Sequence, residues 1–322
     1  KVEAIAICLL HGYVNPIHEQ QLKSRILELW PEAAVIASHE VCREWREYER
    51  TSTSVLSAYI LPNTRKYLSD LESKLKEKGL KSSPFIMQSN GGVATVKGTL
   101  SNPISLVESG PASGMLGAAS IGKIIGEENL IALDIGGTTA KCALIHEGKA
   151  RITTEYRIEW DRENPGYPIR TPVVDLVEIG NGGGSIAWVD EGGSMHVGPQ
   201  SAGSTPGPAA YGRGGGSATT TDANLLLGRI NPELFLGGEQ EPDWDSLNNA
   251  FAKIAQKLGG TNEDVSRGVI RIANANMVNA LKLVSLNRGH DPRDFSLIAF
   301  GGGGAMHAVS LAEDLRVKKV II

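Results

Sequence analysis

"LDIGGTTAKCALIHEG", residues 133–148, is the stretch on which the fold turns. An apolar run carries one acid, Asp134, to its end. Gly136 and Gly137 then permit a tight turn, Thr138 and Thr139 add hydroxyls, and a second apolar run begins. This reads as strand, bare turn, strand. The amides of Gly136, Gly137, Thr138 and Thr139 can cradle phosphate oxygens, and Asp134 can act catalytically by holding a Mg²⁺-bound water. A plain Gly-Gly hairpin, with Asp134 accepting from the turn amides, fits the same residues.

The bulk composition excludes several classes. The chain has 322 residues, 41% of them hydrophobic and 21% charged, as expected of a globular protein with room for two domains. A net charge of −4 gives no reason to expect nucleic acid or an anionic membrane as partner. No apolar run reaches the ~18 residues of a membrane helix. The 3 cysteines, Cys8, Cys42 and Cys142, form no CxxC pair and read as core residues of a cytoplasmic protein. Glycine is in excess, 38 against the roughly 23 of an average composition, and it clusters where backbone must turn or approach a ligand.

Residues 1–100 alternate between helix and strand. "AIAICLL" and "AAVIASHEV" read as strands around the helix "HEQQLKSRILELW", and a long helix follows from Ser54 to Lys78. "GPASGMLGAASIGKII", 110–125, has small residues at helical spacing for close packing. From Leu130 three runs form a meander, "VVDLVEIG" and "SIAWVD" add strands around "NGGG", and 199–221 is a long functional loop. The last third is helical up to Gly289, then "FSLIAFGGGGAMHAVSLAEDL" reads strand, glycine turn, helix.

Two nucleotide signatures fail. "GAASIGKI", 117–124, has Ile124 where a P-loop needs a hydroxyl, and it lies in a helical pattern. "GGGGAMHA" puts Met306 at the third glycine position of a dinucleotide fingerprint. What remains is a pair of glycine turns. The second, Gly301, Gly302, Gly303 and Gly304, lets adenosine lie on bare backbone beside a helix N-terminus. A hairpin phosphate turn followed far downstream by such an adenosine turn resembles the bilobal α/β fold of the actin, Hsp70 and sugar-kinase ATPases. Residues 1–109 would then complete a first lobe, and 110–322 would hold the interface helix and the nucleotide-binding lobe.

The strings "SHEVCREWREYERTSTSVLSAYI", "MQSNGGV", "ESGPASG", "EIGNGGGSIAWVD", "VGPQSAGSTPGPAAYGRGG", "TDANLLLGR" and "RGHDPRDFSLIAFGGGGAMHA" resemble, in order and over essentially the whole chain, the A subunit of the hydantoinase/5-oxoprolinase family. The resemblance implies an ATP- and Mg²⁺-dependent hydrolase subunit that opens a small cyclic amide. A monovalent cation is a further candidate cofactor, and a B subunit the expected partner. The nucleotide-binding subunit of a ketone carboxylase is an alternative within the family, and an Hsp70-like switch one outside it. The family's upstream DxGGT turn does not occur here, so the chain reads as a piece of a longer protein that turns over poorly by itself. The family's central turn often ends in Asp, where this chain has Lys141. Further cleft candidates are His39, Glu108, Asp175, Glu178 and Asp222; Asp175 and Glu178, three apart on one strand, should face opposite sides. His290 and His307 also lie in these strings, and a structural role suits each histidine better than a ligand role.

Overall fold

The computed structural model describes residues 2–159 and 163–322. The chain divides into two compact units, one of Lys1–Leu116 with Ile152–Asp175, the other of Gly117–Arg151 with Leu176–Ile322. The expected break at 109/110 therefore follows a different course. It falls inside the small-residue helix, and a segment from the middle of the chain returns to the first unit.

In the first unit β1 (Ala4–Ile7) and β2 (Ala34–Ala37) run parallel, joined through α1 (Ile17–Leu29). The strand expected over "AAVIASHEV" stops at Ala37, because Ser38–Val41 is a helical turn. Helix α2 (Glu47–Glu77) starts seven residues before the apolar periodicity suggests. Its first turns bury Thr53 and Ser54, whose hydroxyls donate to the carbonyls of Glu49 and Arg50 one turn back. Buried polar residues satisfied in this way leave no apolar stripe to read. The returning segment pairs Ile152–Thr153 with Val173–Val174 and Tyr156–Ile158 with Tyr167–Ile169. The third run of the expected meander therefore pairs with the second only at Lys149–Ala150, and from Ile152 on it belongs to the first unit.

Helix α3 (Ser109–Ile125) crosses from one unit to the next, and it contains the failed P-loop string. Close packing explains one of its glycines, Gly122, whereas a Cβ on Gly110 or Gly117 would meet nothing within 4 Å. A Cβ on Gly122 would lie 2.6 Å from Leu130 Cδ1.

The second unit is built on a mixed six-stranded sheet. Its strands are β3 (Leu130–Ile135), β4 (Ala140–His146), β5 (Val177–Ile179), β8 (Ser296–Phe300) and β9 (Val320–Ile321), with Lys149–Ala150 added on β4. Between β5 and β8 the chain makes the hairpin β6 (Ser185–Val189) and β7 (Met195–Ser201) and the helices α4 (Thr220–Leu226), α5 (Trp244–Leu258) and α6 (Asn262–Val284). Helix α7 (Gly304–Leu315) follows β8. The sheet order is β5-β4-β3-β8-β9; β3 and β4 are antiparallel, while β8 runs parallel to β3 and β9.

Alternation places side chains on two faces of this sheet. Ile131, Leu133, Ile135, Ala140, Cys142 and Leu144 enter the large core formed with α4 to α7. Asp134, Lys141 and Glu178 therefore lie on the opposite face. The α5 stripe Leu247, Phe251 and Ile254, at helical spacing, closes the core from the other side. Burial pushes the thiols of Cys142 and Cys42 up to about 12 and about 11, so both act as small neutral core residues.

Candidate functional site: two glycine turns at one sheet edge

The expected hairpin forms. Ile135 pairs with Ala140, and the Gly136 amide donates to Thr139 O at 3.0 Å, leaving Gly136, Gly137 and Thr138 exposed. The amides of Gly137, Thr138 and Thr139 donate to no group among the described residues. The turn is held from behind instead. Its Gly136 and Gly137 carbonyls accept from the amides of Gly183 (3.0 Å) and Gly184 (2.6 Å). A Cβ on Gly182 would lie 2.7 Å from Gly136 O and from Thr138 C. The "NGGG" run is thus a backing strip that only bare backbone can form. Three consecutive glycines were its sequence signal, but their contact with a turn 45 residues upstream carries no local pattern.

The second turn lies beside the first. Strands β3 and β8 are parallel neighbours, and Phe300 is level with Asp134, so both chains leave the sheet at the same edge. Gly301 has φ +79°, and a Cβ there would strike Asp134 Oδ1 and come within 2.6 Å of Ile135 O. The Gly303 amide donates to Ile135 O at 2.9 Å, and a Gly303 Cβ would meet Ile135 Cγ2 at 2.7 Å. A Gly304 Cβ would meet Ala299 C at 3.2 Å. Gly302 is exposed, and a Cβ on it would meet nothing within 4 Å. Gly301 and Gly303 leave no room for a side chain, and Gly304 leaves little.

Asp134 is half-buried, and no hydrogen bond reaches it from the turn amides. Burial holds its carboxyl above the usual carboxylate range, against the pull of the Lys141 ammonium. Lys141 is level with Asp134 across the β3–β4 pair, and Glu178 is level with Lys141 across the β4–β5 pair. Lys141 Nζ lies 3.4 Å from Glu178 Oε1. Asp134, Gly136, Gly137, Thr138, Thr139, Lys141, Glu178 and Gly301 to Gly304 are thus gathered at one edge of one unit.

The remaining candidates stand elsewhere. Asp222 is fully buried; it accepts from the amides of Ala209, Ala210 and Thr219 and from the Thr219 hydroxyl. It is a staple for the 202–219 loop and the cap of α4, not a cleft residue. Burial pushes its pKa up, while those donors pull it down. Asp175 and Glu178 do not share a strand, because extended pairing is interrupted at 175–176 and the two belong to different units. The opposite-face argument therefore does not apply to them.

His39, Glu108 and Asp175 belong to the first unit. His39 is buried, with Nδ1 2.8 Å from Glu19 Oε2. Glu19 also accepts from Leu9 N, Ser38 Oγ and His39 N. Burial raises the Glu19 pKa, but these donors outweigh it and hold the carboxyl below its ordinary value. That makes His39 part of a closed structural cluster. Its hub, Glu19, escapes sequence reading because its partners lie 10 to 20 residues away. Glu108 takes a left-handed φ of 57° before α3 and accepts from the Tyr156 hydroxyl at 2.9 Å. His307 is buried in α7 with Nδ1 2.7 Å from Asn274 Oδ1 and Nε2 3.4 Å from Asn224 Nδ2. Burial, aided by the Arg229 charge, lowers its pKa to about 4, so it is neutral and structural. His290 packs its ring on Phe295 and His146. Among the described residues no cluster of three or more His, Cys, Asp or Glu suits a metal, and no helix is long and apolar enough to cross a membrane.

Comparison with known proteins bears on this geometry. The hydantoinase/oxoprolinase family model matches residues 50–322, and the chain belongs to that family. It is 36% identical to caprolactamase subunit alpha of Pseudomonas jessenii over all of this chain and 46% of that subunit. The crystal structure of that ATP-dependent caprolactamase matches with a TM-score of 0.78 at 35% identity, covering 99% of this chain and 45% of the other. The nucleotide-free structure of an ATP-dependent acetone carboxylase matches with a TM-score of 0.87 at 30% identity, covering 100% and 45%. The 5-oxoprolinase of Saccharomyces cerevisiae is 32% identical over 100% of this chain and 25% of its own length. The chain thus spans less than half of each of these relatives. Its mixed α/β fold is the one those two structures share.

Proposed function

We propose that this chain is the nucleotide-binding part of an ATP-dependent enzyme that opens a small cyclic amide, built on an actin-like ATPase fold. The observation that carries this reading is the meeting of two bare glycine turns beside a half-buried carboxylate at one sheet edge. The free amides of Gly137, Thr138 and Thr139 hold phosphate oxygens, and adenosine lies over Gly302, the one glycine of its turn beside which the protein leaves open space. Asp134 suits a Mg²⁺-bound water, since it is free of turn hydrogen bonds and stands near the end of the strand that leads into the hairpin, with its carboxylate beside Gly301. Mg²⁺, when bound, neutralises developing charge on the phosphates.

An unstrained lactam or imide is a poor electrophile. Its carbonyl oxygen attacks the γ-phosphorus and displaces ADP; one water adds to the activated carbon, ring C–N cleavage expels the amine and leaves an acyl phosphate, and a second water cleaves that to carboxylate and inorganic phosphate. Such a transfer rests on positioned donors more than on reactive side chains, which suits a turn without them. The names of the caprolactamase and oxoprolinase relatives support a cyclic amide, and a second subunit is the expected partner. A ketone carboxylase is the second reading, favoured by the likeness to acetone carboxylase.

The test is ATP hydrolysis by the full-length protein with its companion subunit. Stimulation by caprolactam, 5-oxoproline or hydantoin supports the first reading. Stimulation by acetone only with bicarbonate replaces it with the second, and stimulation by neither overturns both.

A further inference from the structure

A cavity of about 440 Å³ opens in the second unit between α6, α7 and the chain that leaves α4, and it shares no lining residue with the two glycine turns. Helix α6 lines it with Arg267, Arg271 and Asn274, at the spacing of one helix face. Arg229 extends this cationic wall, while α7 contributes Ser310, Glu313 and Asp314.

Opposite charges thus line one cavity without pairing. Arg271, Glu313 and Asp314 have no side-chain hydrogen bond or ion pair among the described residues. Arg229 donates only to the Met306 carbonyl, at 3.3 Å. Arg267 is the exception, held by Glu263 and Asp264 of its own helix at 2.6 and 3.4 Å. Asn274 is 8% exposed, and its Oδ1 accepts from Nδ1 of His307, whose Nε2 faces Asn224 Nδ2 at 3.4 Å. The Asn274 Nδ2 group is left as a donor with no partner among the described residues. An amide donor on so buried a side chain is costly to leave unmade, and this one belongs to the cavity wall.

We propose that this cavity binds a small zwitterionic amino acid, with its carboxylate on Arg229, Arg271 and Asn274 Nδ2 and its ammonium against Glu313 and Asp314. Guanidinium and amide N–H groups only donate, which suits a carboxylate; two ionised carboxylates only accept, which suits an ammonium. Leu227 and Ile270 offer apolar wall to the carbon chain between them. A simple anion would leave the acids unanswered, and a simple amine the arginines. The class of ligand follows from these walls. That it is also the reaction product rests on the function proposed above, since opening a lactam leaves one carboxylate and one ammonium on the same molecule.

The experiment is calorimetry on the full-length protein with 6-aminohexanoate and with glutamate, the amino acids given by opening caprolactam and 5-oxoproline. Hexanoate and hexylammonium, with one charge each, are the controls. The titrations are repeated in Arg271→Met, in Glu313→Gln combined with Asp314→Asn, and in Asp134→Asn, which alters the glycine-turn site instead. At least one amino acid should bind wild type roughly tenfold more tightly than either control, and Asp134→Asn should bind it equally well. Both cavity variants should weaken that binding about tenfold, with melting temperatures near wild type because these side chains have no protein partner to lose.

The inference is overturned if neither amino acid binds, if a single-charge control binds as tightly, or if binding survives in the cavity variants. Binding lost only in the cavity variants, in a protein whose ATP hydrolysis no cyclic amide stimulates, keeps the cavity as an amino-acid site and removes its reading as a product site.

Discussion

At the scale of the residue, Asp134 and the four glycines divide the work between structure and ligand. Asp134→Asn keeps shape and removes charge. In the full-length enzyme it should lower turnover on the order of 10²-fold, while metal-free nucleotide affinity and melting temperature stay near wild type. Near-normal turnover with a lower melting temperature would make the carboxylate a structural group of the hairpin. The glycines can be separated by the same logic. Gly301 has a positive φ and abuts Asp134 and Ile135. Gly301→Ala should therefore destabilise the second unit by roughly 1–3 kcal/mol, seen in urea melts. A Cβ on Gly302 meets no protein atom within 4 Å, so in Gly302→Val stability should hold while Mg²⁺-ADP affinity falls at least tenfold by calorimetry. Unchanged affinity in Gly302→Val would remove adenosine from this turn.

At the scale of the element, legibility followed how local the governing force was. The hairpin at Gly136–Gly137, helices α5 and α6 and the β8–turn–α7 unit were legible because apolar period and turn residues sit together in sequence. The start of α2 was not, since its buried hydroxyls mimic a polar stretch. "VVDLVEIG" looks like one strand, but its two halves pair with different partners in different units, a decision made by tertiary context alone. The site was half-legible for the same reason. Both turns announce themselves as glycine runs, whereas the backing by Gly182 to Gly184 and the level row of Asp134, Lys141 and Glu178 depend on register.

Asp222 illustrates the limit from the other side. Its acid looked like a cleft group, and the four donors it accepts from are what give it another role. Asp222→Ala should cost on the order of 3 kcal/mol, combining a lost cap with buried amides left unpaired. Faster amide exchange at Ala209 and Ala210, beyond that of the rest of the unit, would locate the damage in the loop. Uniform loosening of the unit would show that the staple does not act locally.

At the scale of the whole molecule, pH dependence gathers these buried groups into one measurable curve. His307 has the clearest effect, because its pKa falls from 6.5 to about 4 on folding while it is buried against Asn274 and Asn224. A base whose folded pKa is depressed binds protons better when unfolded. Its neutral form is free of penalty above pH 6.5, and stability is lost as pH falls from 6.5 toward 4. Between pH 7.5 and pH 5 that loss is about 2 kcal/mol. Asp222 has the opposite sign, since burial raises its folded pKa, and it favours folding as pH falls toward that value. That gain runs from its raised folded pKa down to the ordinary 3.8, so it acts against the histidine loss and never adds to it. Glu19, with a folded pKa lowered from the ordinary 4.5, loses its contribution as pH falls through and below that value, and it belongs to the first unit. Among these groups the loss between pH 6.5 and 5 therefore belongs to His307, with Asp222 acting against it. Urea melts followed by amide exchange on α7 should show the drop in wild type and not in His307→Gln, which starts less stable at pH 7.5 but changes little down to pH 5. A His307→Gln protein that keeps the full drop would assign the acid sensitivity of this unit to other groups.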